Sequence, residues 1–485
     1  KKFSPPTRAS ETNKLDEFIY AALEFTLRLQ HRDGSYDEWY PNERGWAGPT
    51  GYVTYALAKT CDLLGDKIPA ALWKKLERAC LKSCEFLAAY EEKDVLANHQ
   101  AMALLAISQT EKTFARDDMS LPYENILARV ESSLCEGSWT LEYDGPDWGY
   151  QTATLSFLAR VARNRPDPRI KTLANRLLEM LAYVAMPDGS IAGVTGSRGT
   201  SNIFFYGLQF WAAENAFAAR LNEHFFIGLK ARLIPRPENQ EDHYLIYRLP
   251  EFLECLEEAP PIRAKASLPF ETKIDFAKTW PESGFHCFKQ GDFYGAFNLR
   301  KGGAGCVYRV SDARLLFCDR GVTVSTADGK VHSSAFIQKG SAWETQGAEF
   351  SSRAGLTEIR NPEFTPLTFI AFRAIMGVLG LWPNLARLMK AIIRKQVMVK
   401  FKTTSDLGFT RQLSFSAGKV VLTDQLRRNR SREIYKIWLG GGDPHRMVPQ
   451  SRYWVGDGHE TVAIQSERVD EVNRGGSTTI RREFH

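Results

Sequence analysis

From its first residues to about residue 260 the chain repeats its apolar positions at helical spacing. "LDEFIYAALEFTLRLQ" puts Leu15, Phe18, Ile19, Ala22, Phe25 and Leu29 on one stripe. Segments of the same period follow near 49–64, 71–90, 96–109, 122–135, 149–164, 168–185, 202–221 and 243–256. The Pro-rich stretch "APPIRAKASLP" ends the pattern. Beyond it come short alternating or β-branched runs such as "FYGAFNL", "CVYRV", "VTVST", "KVVLTD" and "IYKIWLG", many punctuated by Gly, Asp or Asn. Antiparallel strands are written in that code. The pattern predicts an α+β multidomain chain, helical over 1–260 and an antiparallel β-sandwich over 261–485.

The helical half also repeats itself. "RDGSYDEWYPNERGW" (32–46), "CEGSWTLEYDGPDWGY" (135–150) and "PDGSIAGVTGSRGT" (187–200) each join an acidic-Gly-Ser turn to a polar, aromatic loop and a new helix. The turn glycines Gly34, Gly137 and Gly189 are 103 and 52 residues apart, a period near 52 with one copy skipped. The skipped copy falls near "AAYEEKDVLANHQ". A unit of that length holds two helices, so successive loops leave the array at the same end. Hairpins arranged as an incomplete (α/α) toroid would bring all four loops to one rim.

Composition narrows the partners. Net charge is +6 with no Lys/Arg run of nucleic-acid type, which argues against duplex binding. Aromatic residues reach 12%, and many stand beside Gly, Asp and Asn, a placement suited to stacking on sugar rings. Cys61, Cys80, Cys84, Cys135, Cys255, Cys287, Cys306 and Cys318 lie singly in apolar segments without a CxxC pair. Buried reduced thiols favour a cytoplasmic location. The chain begins with Lys, so a removed leader, and with it a periplasmic location, stays open.

The rim loops carry a particular set of side chains. Asn98 and His99 open a helix; Trp46, Tyr52, Tyr143, Trp148, Tyr150, Arg198 and Asn202 occupy the other loops. An imidazole, an amide, phenols and a guanidinium suit β-elimination on a uronic-acid polymer. The C5 proton of a uronate is poorly acidic, because the enolate piles charge on a carboxylate, so that carboxylate must be neutralised. A base removes the proton and an acid protonates the departing O4. The chemistry demands neither metal nor cofactor.

On "NHQ" (98–100), "YDGPDWGY" (143–150) and "DGSIAGVTGSRGT" (188–200), the chain resembles the heparinase II/III-like polysaccharide lyases and, more distantly, the toroidal alginate lyases. The resemblance implies an incomplete ring of α-hairpins joined to an antiparallel β-sandwich, with an acidic polysaccharide bound between them. In such lyases an Asn-His step is followed by a catalytic Tyr; here Tyr150 lies 51 residues after His99 and Tyr143 lies 44 after it. The resemblance therefore implies Asn98 as carboxylate neutraliser, His99 as base or neutraliser, and Tyr150 as acid, with Tyr143 in reserve. Many relatives carry a His-rich, Asp-containing stretch in the β-domain that supplies a catalytic His. "GKVHSSAF" offers only His332 and lacks the Asp. "LRKGGAGCVYR" adds Lys301 and Arg309 as candidates for substrate binding.

One segment fits no part of this plan. Residues 365–402 contain seven basic residues and no acid. In "NLARLMKAIIRKQVM", Leu385, Leu388, Met389, Ile392 and Ile393 form one face and Arg387, Lys390, Arg394 and Lys395 the other. A helical insertion over about 365–397 that lies on an anionic membrane, as a peripheral contact, is expected from this composition. The leading function is a lyase in polysaccharide biosynthesis or turnover. Three alternatives stand beside it: a uronate C5-epimerase, an inverting glycoside hydrolase using Asp144 and Asp147, and a non-catalytic glycan-binding or assembly protein.

Overall fold

A computed structural model describes residues 9–37, 42, 46–90, 96–240, 242–257, 266–338, 340–359, 365–393, 403–429, 432–440 and 462–485. The Pro-rich segment 259–265 and the basic residues Arg394 and Lys395 lie outside them. Two compact units are present: Lys1–Ser132 with Arg160–Asp167 and Glu363–Met398, and Ser133–Ala159 with Pro168–Pro362 and Val399–His485. Helices run to Glu257 and the sandwich strands begin at Phe276.

The first unit contains α1 (Ala9–Leu29), α2 (Ala47–Leu64), α3 (Ala70–Ala89), α4 (Ala97–Phe114) and α5 (Ser120–Ser132). Leu23, Leu57, Cys61, Leu72, Leu76 and Cys80 form their shared core, with Ile19, Tyr20 and Leu27 packed against it. Of the expected α1 stripe Ile19 packs against this core, but Leu15, Phe18, Phe25 and Leu29 are exposed. The core takes the helix face carrying Leu23 instead, because α3 and the turn after α1 lie on that side.

The second unit takes most of α6 (Trp148–Asn164), then α7 (Pro168–Val184), α8 (Phe205–Trp211), α9 (Ala216–Lys230) and α10 (Asp242–Glu257). The single helix expected over 202–221 is two, because the Asn215 side chain accepts from Ala218 N and starts α9 afresh. Ahead of α6, β1 (Leu134–Cys135), β2 (Trp139–Glu142) and β3 (Gly145–Pro146) form a small antiparallel sheet.

Asp33-Gly34-Ser35 and Asp188-Gly189-Ser190 are one motif built twice. In each the Asp Oδ1 accepts from the Ser backbone N–H (3.2 and 2.9 Å) and from the Ser hydroxyl (2.7 and 2.6 Å). Both glycines have φ near +90°, and a Cβ on either would strike the backbone of a neighbouring helix. The 137 copy differs. Glu136 and Gly137 both have positive φ and Ser138 N–H donates to Cys135 O (3.0 Å), in the turn of a β-hairpin that pairs Cys135 with Trp139.

The strands from β4 onward make two further antiparallel sheets among the described residues. β4 (Phe276–Trp280), β5 (Phe285–Gln290), β6 (Phe293–Asn298), β7 (Ala304–Arg309) and β8 (Arg314–Asp319) run as a five-stranded meander. The nine-stranded sheet has the order β16 (Val462–Ala463), β15 (Ile434–Leu439), β9 (Val322–Thr326), β10 (Val331–Ser333), β12 (Glu349–Glu358), β13 (Thr403–Ser416), β14 (Lys419–Arg428), β17 (Ser477–Phe484), with β11 (Ala342–Gln346) also on β12. Phe288, Phe297 and Val307 of the first sheet meet Phe350, Leu413 and Leu422 of the second, which makes the expected sandwich. α13 (Ser466–Gly475) covers part of the larger sheet through Val469 and Val472. Between β12 and β13 the chain inserts α11 (Pro366–Leu379) and α12 (Pro383–Ile393), both within the first unit.

A charge cluster sits inside the sandwich. Buried Arg411 donates from Nε to Asp424 (2.7 Å), from Nη2 to Asp319 (3.2 Å) and from Nη1 to Gly303 O (3.2 Å). Arg482 Nη2 bridges the same two carboxylates at 2.8 and 2.6 Å. Burial alone would raise the Asp319 pKa, but Arg411 and Arg482 outweigh it and hold the carboxyl below its usual range. A carboxylate held low stabilises the fold above its ordinary pKa, near pH 4, and stops doing so as pH falls through the depressed value. Arg411→Leu leaves two buried carboxylates with one cation between them and is expected to cost about 3–5 kcal/mol at neutral pH. Urea unfolding checks this, and the gap to the parent protein should narrow below about pH 4.

Candidate functional site

The aromatic-rich segment 136–151 separates into core and surface. Trp139 is buried and donates from Nε1 to Glu136 (2.9 Å). Trp148 is fully buried, edge-on to Phe285 with ring centroids 5.1 Å apart, and its indole N–H donates to Thr195 Oγ1 (2.7 Å). The structure therefore gives Trp148 to the core, with no face open for a sugar. Tyr143 and Tyr150 are half-buried.

Asp147 organises this surface. Its carboxylate caps the start of α6, with Oδ1 accepting from Tyr150 N–H (3.1 Å) and from the Thr200 hydroxyl. Oδ2 accepts from Arg198 N–H (3.1 Å). Burial pushes the carboxyl above the ordinary range, and these hydrogen bonds only partly offset that. One side chain thus ties the helix turn carrying Tyr150 to the loop carrying Arg198. Ser197 adds two bonds between the same segments, to Pro146 O (2.7 Å) and Glu142 O (2.9 Å).

Tyr143, Tyr150 and Arg198 come together there. The Arg198 guanidinium lies 3.8 Å from the Tyr143 ring centroid, and the two phenol rings are 6.5 Å apart. Arg198 Nη1 reaches Asp144 Oδ1 (3.4 Å) and Ser197 O (3.3 Å). Its buried Nε has no hydrogen-bond partner among the described residues, nor has either amide atom of buried Asn202. Buried polar atoms without partners are rare, and ligand sites are one place where they occur.

The remaining candidates of this unit have other employment. Buried Lys301 donates to Val194 O (3.1 Å) and Gly196 O (2.7 Å), and Asn298 Nδ2 donates to Thr195 O (2.8 Å). Both hold the turn that leads into Arg198. Arg309 is paired on the surface with Asp312 (3.0 and 2.6 Å). His332 is buried in the larger sheet, its Nε2 2.9 Å from Arg432 Nη1. Burial first, and Arg432 second, lower its pKa, so the imidazole is neutral at pH 7 and accepts from Arg432.

Asn98, His99, Trp46 and Tyr52 belong to the other unit. Asn98 and His99 stand in the first turn of α4, Asn98 buried and His99 half-buried. Trp46 meets the His99 ring edge-on with centroids 5.7 Å apart. Gly48 in the first turn of α2 lies under the imidazole: a Cβ there would come 2.6 Å from His99 Cδ2. Tyr52 follows one turn later and is half-buried. The structure thus brings His99 to Trp46 and Gly48 in one unit, and Tyr150 to Tyr143 and Arg198 in the other. Among the described residues no cluster of His, Cys, Asp and Glu could hold a metal ion.

Sequence reasoning missed Thr195, Thr200 and Asn298, and weighed Asp147 only as a hydrolytic acid. The signal for Asp147 was present: an Asp directly before a helical run is a capping residue. Nothing local marks the other three, whose roles depend on distant segments.

No protein family model matches the sequence, and no curated protein matches it. Among solved structures, the chain is similar to a chondroitin AC lyase from Streptomyces coelicolor A3 in complex with chondroitin sulphate. The identity is 10%, the TM-score is 0.47, and the alignment covers 87% of this chain and 58% of that one. The chain thus spans under two thirds of that lyase's length. It is also similar to a heparan sulfate lyase variant from Pedobacter heparinus, at 9% identity and a TM-score of 0.28, over 87% of this chain and 70% of that one.

Asp147→Asn replaces one acceptor oxygen by an amide donor that must face Arg198 N–H or the Thr200 and Tyr150 donors. The expected loss is about 1–3 kcal/mol in urea unfolding. Unchanged stability would mean that this carboxylate does not hold the loop.

Proposed function

We propose that the chain is a polysaccharide lyase that cleaves a uronic-acid-containing polysaccharide by β-elimination, on the heparinase II/III-like plan. One observation carries the reading: two phenols and a guanidinium, Tyr150, Tyr143 and Arg198, gathered over the start of α6 by a buried carboxylate. The Asn98-His99 step at the start of α4 supports it from the sequence side.

In this reading Arg198 neutralises the uronate carboxylate, which lets a base take the C5 proton. The C5–H electrons form the C4=C5 double bond, the C4–O4 bond breaks, and Tyr150 gives its proton to the departing oxygen. Tyr143 is the reserve acid. Products are a chain with an unsaturated uronate end and a chain with a free hydroxyl. The hydrolase alternative loses its acid pair: Asp147 is a buried helix cap and Asp144 faces Arg198.

The test is a panel of uronic-acid polysaccharides read by the ultraviolet absorbance of the new double bond. Activity on at least one is expected, and Tyr150→Phe should lower the rate about a hundredfold or more. Deuterium entering C5 without chain shortening would replace the lyase with an epimerase. New reducing ends without absorbance would replace it with a hydrolase. No product from any polymer would leave a binding protein.

A further inference from the structure

We propose that α11 and α12 form a peripheral anchor that lies on the surface of an anionic lipid membrane. The two helices are well specified locally. The Thr365 side chain accepts from Thr368 N–H (3.2 Å) and Pro366 starts α11; Gly380 ends it, and Pro383 starts α12. The pair is tied to its own unit at Asn42 and Asp33. Met376 O accepts from Asn42 Nδ2 (3.3 Å), Arg387 Nη2 lies 3.4 Å from Asp33, and Met376, Gly380 and Ala386 are buried.

Much of its bulky apolar surface is left outside, although Met376 is buried and Phe372, Leu379, Leu385 and Met389 are half-buried. Leu367 is 80% exposed, Ile370 63%, Val378 58%, Leu381 65%, Trp382 58% and Leu388 55%. A soluble surface does not ordinarily gather so many large apolar side chains in one short segment. The occupant is named by charge. From 365 to 402 the sequence has seven basic residues and no acid, and Arg373 stands exposed among the apolar residues of α11. A two-fold pairing with a second copy would set this positive segment against itself. An anionic bilayer accepts the apolar residues into its acyl boundary and the cations at its headgroups. Trp382, at the turn between the helices, is the residue type that favours that boundary. No helix among the described residues is long and apolar enough to cross a membrane, so the pair lies along the surface.

Flotation of the full chain tests this, comparing vesicles of zwitterionic lipid with vesicles of about one-third anionic lipid. Binding is expected on the anionic vesicles only, and weaker at high salt. Trp382→Asp and Arg373→Glu change exposed residues, so both should unfold in urea like the parent, yet each should lower vesicle partitioning about tenfold or more. Absence of binding, equal binding to both vesicles, or binding indifferent to both variants overturns the proposal. So does concentration-dependent dimerisation that Trp382→Asp abolishes without any vesicle binding. None of these readouts depends on polysaccharide cleavage.

Discussion

The arrangement of the second unit turns on burying the Asp147 carboxylate. A carboxylate without water is unfavourable by several kcal/mol unless donors surround it. Three donors from two stretches of chain supply that, namely Tyr150 N–H, Arg198 N–H and the Thr200 hydroxyl. The requirement works in both directions. Asp147 cannot be buried unless the 198–200 loop comes to the start of α6, and once it does, Tyr150 and Arg198 are neighbours by construction. Gly149 and Gly196 allow the approach, because a Cβ on Gly149 would collide with Thr200, and one on Gly196 would crowd the Asp147 carboxylate.

The sandwich takes part in the same construction. Arg411, locked between Asp319 and Asp424, donates to Gly303 O, two residues beyond Lys301. Lys301 in turn grips the carbonyls of Val194 and Gly196, and Asn298 grips Thr195. A salt-bridge core in the β-sheets is thereby joined, bond by bond, to the loop that carries Arg198. A buried ion cluster is weak evidence for stability on its own. Here its position accounts for it better: it fixes the short 299–303 segment from which the Lys301 ammonium must reach the helical loop.

What the sequence made legible follows from whether an interaction is local. The change from helical to alternating period marked where α1–α10 give way to the strands of the sandwich, though not the short strands β1–β3 before it or α11–α13 after it. The Asp-Gly-Ser turns at 34 and 189 were readable because their hydrogen bonds close within three residues. Exposure was not readable. Trp148 looked like a sugar platform, but Phe285 and Thr195, more than forty residues away in the chain, bury it. The α1 stripe looked like a core face, yet the packing of α3 selects the face with Leu23. Lys301 resembled a free cation for the same reason: the carbonyls that hold it are over a hundred residues earlier.

The repeat itself explains where chemistry could arise. At 34 and 189 the turn is a packing corner, closed against a helix, and tolerates little change. At 137 the corner has become a hairpin with open space around its glycine, and the chain beyond it runs to Tyr143. That residue has φ +66°, a left-handed conformation that is unfavourable for a bulky side chain by about 1–3 kcal/mol. The Tyr ring lies under the Arg198 guanidinium, a contact of about 0.5–2 kcal/mol that works against this cost. Backbone strain, a cation and a second phenol thus meet at one corner of the second unit, and the functional reading rests there.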